Sequence, residues 1–149
     1  MKSSLSTLCY IEKDGQYLML HRTVKKNDVN KDKWIGVGGH FEADESPEEC
    51  LLREVWEETG LTIESPILCG LYHWYKGAVH NVITLYKAEK FTGTLTSSEE
   101  GKVYWIPVEE LKSKELATGM EYVLQIMESE QIGECYMHLE ANGFVGDLY

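Results

Sequence analysis

The chain has 149 residues, 43% hydrophobic and 26% charged, which fits a single globular domain over residues 1–149 and excludes a disordered chain. Its 14 Lys and Arg stand against 25 Asp and Glu, a formal net charge of −11, which argues against a nucleic acid polymer as partner because that affinity comes from clustered cations. No apolar run is long enough to cross a bilayer, and Met1 to Thr7 is too polar for a signal-peptide core, so the expectation is a cytoplasmic protein without a membrane partner.

In chain order, Thr7 to Glu12 and Gln16 to Arg22 flank Asp14-Gly15 and predict a β-hairpin. A polar loop, Thr23 to Lys33, follows, and Trp34 to Gly38 reads as a short strand. Ser46-Pro47-Glu48-Glu49 combines an N-cap serine, a proline at the first helical position and a glutamate in capping-box register, so a helix starts there and ends at Gly60. Leu68 to Tyr75 and Val79 to Ala88 form a second hairpin around Lys76-Gly77-Ala78. Val103 to Ile106 is a strand stopped by Pro107. A second helix begins at Thr118-Gly119-Met120-Glu121, read as a capping box, with Met120, Val123, Leu124 and Met127 as a core stripe. Glu134 to Glu140 and Phe144 to Tyr149 close the chain as a hairpin around Asn142-Gly143. Hairpins on both sides of an isolated helix, then a second helix, predict an α+β fold with a mixed, largely antiparallel sheet.

Cys9, Cys50, Cys69 and Cys135 are scattered without C-x-x-C spacing and read as buried free thiols. His73 and His80, in strands without ligand-like neighbours in sequence, read as structural or surface histidines. Trp34, Phe41, Tyr72 and Trp74 are either stacking platforms or sheet core.

The segment that carries chemistry runs from Gly38-Gly39 through Arg53-Glu54-Val55-Trp56-Glu57-Glu58 to Gly60-Leu61. At about 100° per residue, Glu54, Glu57 and Glu58 occupy roughly a third of the helix circumference, beside an apolar face of Leu51, Leu52 and Val55. Three adjacent carboxylates repel one another, so the arrangement costs free energy unless a cation sits among them. Oxygen-only ligands of this kind suit Mg²⁺ or, as a substitute, Mn²⁺.

With Gly39, Glu45, Arg53-Glu54, Val55, Glu57-Glu58, Gly60 and Leu61 at the same spacings, the segment resembles the signature of the Nudix hydrolase family. The resemblance implies an α/β/α sandwich with a catalytic loop-helix-loop. It also implies metal-assisted attack of water on a phosphoanhydride in a nucleoside diphosphate linked to another group. By position, the Gly38 carbonyl and Glu54, Glu57 and Glu58 are its metal-binding candidates, Arg53 orients glutamates by ion pairing, and Glu45 belongs to the catalytic loop. Relatives draw a further acid from a loop, for which Ser97-Ser98-Glu99-Glu100 offers Glu100 as metal ligand or base.

The approach to the signature, Trp34-Ile35-Gly36-Val37 with Leu18 to Arg22 upstream, resembles the MutT-type branch, which converts 8-oxo-dGTP and related purine nucleoside triphosphates to monophosphate and pyrophosphate. Substrate contacts are then expected from Arg22, Trp34, Ile35, Gly38 and Gly39. Val37 stands where most relatives have proline, Ile35 where mammalian-type members read the oxidised base with asparagine, and His40 where lysine is commoner. The alternatives are a Nudix pyrophosphatase for ADP-ribose, a nucleotide-sugar or a dinucleoside polyphosphate, and a non-catalytic nucleotide-binding regulatory domain. The partner expected in each case is a small nucleotide, with the oligomeric state left open.

Overall fold

A computed structural model describes residues 2–22, 32–97 and 101–149. Most of Thr23 to Lys33, together with Glu99 and Glu100, lies outside the described residues. Strand β1 (Lys2–Lys13) organises the molecule. It pairs in parallel with β7 (Val79–Ala88) from Lys2 to Ile11, and antiparallel with β4 (Val37–His40) from Ser6 to Cys9. Its end then turns through Asp14-Gly15 into β2 (Gln16–Arg22). Beyond β2 lie β3 (Trp34–Ile35) and β9 (Gly101–Pro107). On the other flank β7 pairs with β6 (Ile67–Lys76), β6 pairs in parallel with β10 (Glu134–Glu140), and β10 with β11 (Gly143–Leu148). The sheet is mixed and largely antiparallel, as expected.

Alternation along β1 and β2 sorts the core into two layers, because successive strand residues face opposite sides. Tyr10, Tyr17 and Met19 pack with Met120, Val123 and Ile126 of α2 (Met120–Glu128). Cys9, Ile11, Leu18 and Leu20 pack on the other side with Leu51 and Val55 of α1 (Pro47–Thr59). Each fully buried aliphatic side chain contributes about 1.5–3 kcal/mol, so both helices are held by their apolar stripes. Both faces being covered makes the central strands buried at consecutive positions.

Three expectations are corrected. Trp34 to Gly38 is two strands, not one, broken at Gly36, where a Cβ would sit 2.8 Å from the Cys9 carbonyl. Thr118 does not cap α2: the N-cap is Gly119, in the left-handed region at φ 84° and without a side-chain cap. A Cβ at 119 would collide with the Tyr72 hydroxyl, which donates to the Thr118 carbonyl at 3.4 Å. Finally, β5 (Leu61–Glu64) and β8 (Lys90–Gly93) form a small antiparallel sheet beyond the expected strands, and a 3₁₀ turn spans Val108–Ser113.

Cys9, Cys50 and Cys135 are buried free thiols, whereas Cys69 is half-buried. His73 and His80 meet across β6 and β7, Nδ1 to Nε2 at 2.9 Å, and the other nitrogen of His73 lies 2.7 Å from Glu134. No helix among the described residues is long and apolar enough to cross a membrane.

Candidate active site

Helix α1 is built where the sequence predicts it. Ser46 accepts from the Glu49 N–H at 3.1 Å and the Glu49 carboxylate accepts from the Ser46 N–H at 3.0 Å. Gly60, at φ 78°, ends the helix, and its N–H donates to the Trp56 carbonyl at 2.8 Å. These caps fix the ends of the helix, which turns Leu51 and Val55 into the core and aims Arg53, Glu54 and Glu58 towards β4.

Arg53 is the hub. Its Nε and Nη2 donate to the two oxygens of Glu45 at 2.6 and 3.0 Å, a bidentate fork of the stronger kind of ion pair. Nη1 donates to Glu54 at 2.8 Å and to Glu57 at 3.2 Å, while Nη2 also reaches the His40 carbonyl at 3.0 Å. The Arg53 fork, with the Glu42 N–H at 2.7 Å, holds the Glu45 carboxyl well below its usual range, at about 2. The same hydrogen bonds raise the already high pKa of Arg53, so this pair stays charged throughout the neutral range.

Glu58 occupies a different environment. Only 4% exposed, it accepts a hydrogen bond from the Gly38 N–H at 3.0 Å, tying α1 to β4. The two glycines are needed for separate reasons. A Cβ on Gly38 would strike the Thr7 backbone across the β1–β4 pairing, whereas a Cβ on Gly39 would lie 2.5 Å from the Glu54 carboxyl. Beneath the loop, the buried Cys50 thiol lies 3.7 Å from the Gly39 carbonyl, and burial pushes its pKa up to about 12. It therefore packs as a small hydrophobe rather than acting as a nucleophile.

Among the described residues, Glu45, Glu54 and Glu57 share the Arg53 guanidinium, and Glu58 lies beside them on α1. Among the described residues, no three His, Cys, Asp or Glu already converge as a metal cage. The donor chemistry nevertheless fits a hard divalent cation: carboxylates and a backbone carbonyl are its preferred ligands, and a cation offsets the repulsion among neighbouring carboxylates.

An apolar cavity of about 590 Å³ lies among β3, β6, β7, α2, β10 and β11. Ile35, two residues before Val37-Gly38, lines it, with Trp74, Asn81, Met120, Met137 and Phe144 among the other walls. Of the expected substrate-contacting residues, the structure brings Ile35 into this cavity and Gly38 and Gly39 against the glutamates. Trp34 instead stacks on His21 at 4.4 Å, with the Lys114 ammonium 5.3 Å from its ring centroid. Arg22 ends β2 and its backbone N–H donates to the Lys33 carbonyl at 3.1 Å. Glu100 lies outside the described residues. Asn81 and Phe144 were not singled out from the sequence, where one is a polar residue in a strand and the other follows a hairpin turn; only the assembled sheet joins them to Ile35.

The sequence model of the NUDIX domain matches residues 3–126. YvcI of Bacillus subtilis, described as an uncharacterized Nudix hydrolase, is 30% identical over 127 residues, 81% of this chain and 77% of that protein. A MutT-like protein of Streptomyces ambofaciens is 33% identical over 106 residues, 70% of this chain and 63% of that one. Among solved structures, a MutT protein from Bacillus halodurans shares the fold with a TM-score of 0.79 at 24% identity, covering 97% of each chain. The NUDIX domain of Shewanella oneidensis NrtR, solved with ADP ribose, does so with a TM-score of 0.68 at 17% identity, covering 85% of this chain and 86% of that one. With the match extending from the first strand into the second helix, and the arginine-centred glutamates in its midst, this chain belongs to the Nudix hydrolase family.

Proposed function

We propose that the chain hydrolyses a nucleoside triphosphate to monophosphate and pyrophosphate in a Mg²⁺-dependent reaction, with oxidised purine nucleotides such as 8-oxo-dGTP as first candidates. The observation that carries this reading is that β3 and β4, separated by one residue, lead from Ile35 in the wall of an apolar cavity to Gly38, whose N–H is held by the Glu58 carboxylate of the arginine-centred glutamate cluster. The cavity suits an apolar, planar group, and the carboxylates suit phosphates only when a cation reverses the local field.

In this reading Glu54, Glu57 and Glu58 and the Gly38 carbonyl hold Mg²⁺, for which Mn²⁺ is a substitute, and Glu100 adds a carboxylate from the segment before β9. An ion held there would supply neutralisation of charge on the transferred phosphoryl group and a lowered pKa for the attacking water. Arg53 fixes the directions of Glu54 and Glu57, and Glu45 fixes Arg53 from its other side. Gly39 leaves room for the Glu54 carboxylate against the backbone, and Glu58 holds the loop through the Gly38 N–H. Arg22 is the proposed phosphate contact at the end of β2, and Trp34 an outer contact for the nucleotide beside Ile35.

Relatives named MutT and MutT-like support the triphosphate reading. Ile35 offers the base no hydrogen bond, so base recognition falls to the side-chain amide of Asn81 in the cavity lining. ADP-ribose, the ligand of the NrtR domain, is the competitor. The test compares kcat/KM for 8-oxo-dGTP, dGTP, ADP-ribose and a dinucleoside polyphosphate with Mg²⁺, resolving pyrophosphate from phosphate. The reading predicts preference for a purine triphosphate with pyrophosphate released; preference for ADP-ribose would replace the substrate class, and no turnover of any substrate would leave a binding module.

A further inference from the structure

The family match ends at residue 126, yet the chain continues into the β10–β11 hairpin, and two hairpin residues, Met137 and Phe144, line the cavity. The base of this hairpin is fixed in three ways. β10 adds in parallel to β6, from Glu134 opposite Leu71 to Met137 opposite Trp74. Tyr149 closes it, its N–H donating to the Glu134 carbonyl at 2.9 Å and its carbonyl accepting from the Gly133 N–H at 2.8 Å. Gly146 allows close approach to α2, since a Cβ there would lie 2.9 Å from both the Tyr122 ring and the Cys135 sulfur.

Beyond this base, the cavity-side face of the hairpin comes out into solvent. Cys135, Met137 and Leu139 share one face of β10, and their exposure climbs from 0% through 4% to 72%. Phe144 is directly opposite Leu139 on β11, hence on that same face, and is 56% exposed. A rigidly based hairpin therefore presents an exposed aromatic ring at the lip of an apolar cavity whose interior holds one side-chain amide, Asn81.

We infer that the β10–β11 hairpin is a wall of the nucleoside subsite, on which the Phe144 ring stacks against the base, backed by Met137. The occupant is a nucleobase because the exposed ring is continuous with the cavity, the lining is mostly apolar with Asn81, Lys76 and Thr118 at its polar points, and every base has a face on which an aromatic ring can stack. Stacking tolerates any base, so the hairpin supplies affinity while Asn81 supplies discrimination. This inference rests on the nucleotide-hydrolase reading above.

The test uses the full chain and the preferred nucleotide of the substrate panel, with inorganic tripolyphosphate as a competitor that lacks a base. Phe144→Ala should raise KM about tenfold and leave kcat within about twofold, with Phe144→Tyr restoring KM. The tripolyphosphate inhibition constant should be unchanged. Leu139→Ser, at an exposed position, provides a second variant if Phe144→Ala unfolds. An unchanged KM, an equal loss of tripolyphosphate affinity, or conversion of a dimer to a monomer by light scattering would overturn the inference; the last outcome would assign the patch to a second copy of the chain. Titration with deoxyguanosine, which has a base but no phosphate for the carboxylates to repel, followed by intrinsic fluorescence, separates the two readings. An inactive protein whose deoxyguanosine affinity still falls in Phe144→Ala would keep the wall and refute the hydrolase, whereas unchanged affinity would refute the wall.

Discussion

At the residue scale, Arg53 turns a row of repelling carboxylates into an ordered site: one side chain binds Glu45 with two bonds and Glu54 and Glu57 with one each. Lysine would keep the charge but lose this planar fork, so charge alone does not describe the position. The adjacent glycines separate stability from chemistry. Gly38→Ala places its methyl group against the Thr7 backbone, which has no means of yielding, and should lower stability by about 1–3 kcal/mol through a distorted β1–β4 pairing. Gly39→Ala has the flexible end of the Glu54 side chain as its nearest contact and should leave the unfolding midpoint nearly unchanged while displacing that carboxylate and reducing kcat. Thermal unfolding and steady-state kinetics on both variants check this division; equal stability losses would contradict it.

At the element scale, α1 owes its position to its two ends. Ser46→Ala removes the acceptor for the Glu49 N–H and should cost about 1 kcal/mol, or about 2–4 °C in Tm. Gly60→Ala should cost at least as much, because φ 78° is disfavoured for alanine and its Cβ would meet the Thr94 carbonyl at 2.5 Å. Thermal unfolding of both variants is the check, and an unchanged Tm for either would show that the cap is dispensable. These signals were legible because capping chemistry lies within a few residues of the helix it serves. The start of α2 was not, since Tyr72, 47 positions earlier in sequence than Gly119, fixes that cap. Nor was the break at Gly36, set by close approach to the Cys9 carbonyl on β1. The β5–β8 sheet joins four-residue strands that no short turn connects, so nothing local announces it.

At the scale of the whole molecule, a sheet covered on both faces supports a contiguous stretch, Gly38 to Gly60, that carries the proposed site. The glutamates and Arg53 were legible for that reason: helix periodicity brings together residues that are already close in sequence. The cavity was not, because β3, β6, β7, α2, β10 and β11 each contribute a wall and only tertiary pairing assembles them. The most direct measurement of the central claim is kcat for the preferred nucleotide with Mg²⁺ in the wild type and Glu58→Gln, alongside thermal unfolding of both. Glutamine keeps a carbonyl oxygen to accept from the Gly38 N–H but removes the negative charge, so the loop should stay in place while the metal is lost. The account predicts a loss of about 100-fold in kcat with a Tm close to that of the wild type; a folded Glu58→Gln protein with unchanged kcat would contradict it.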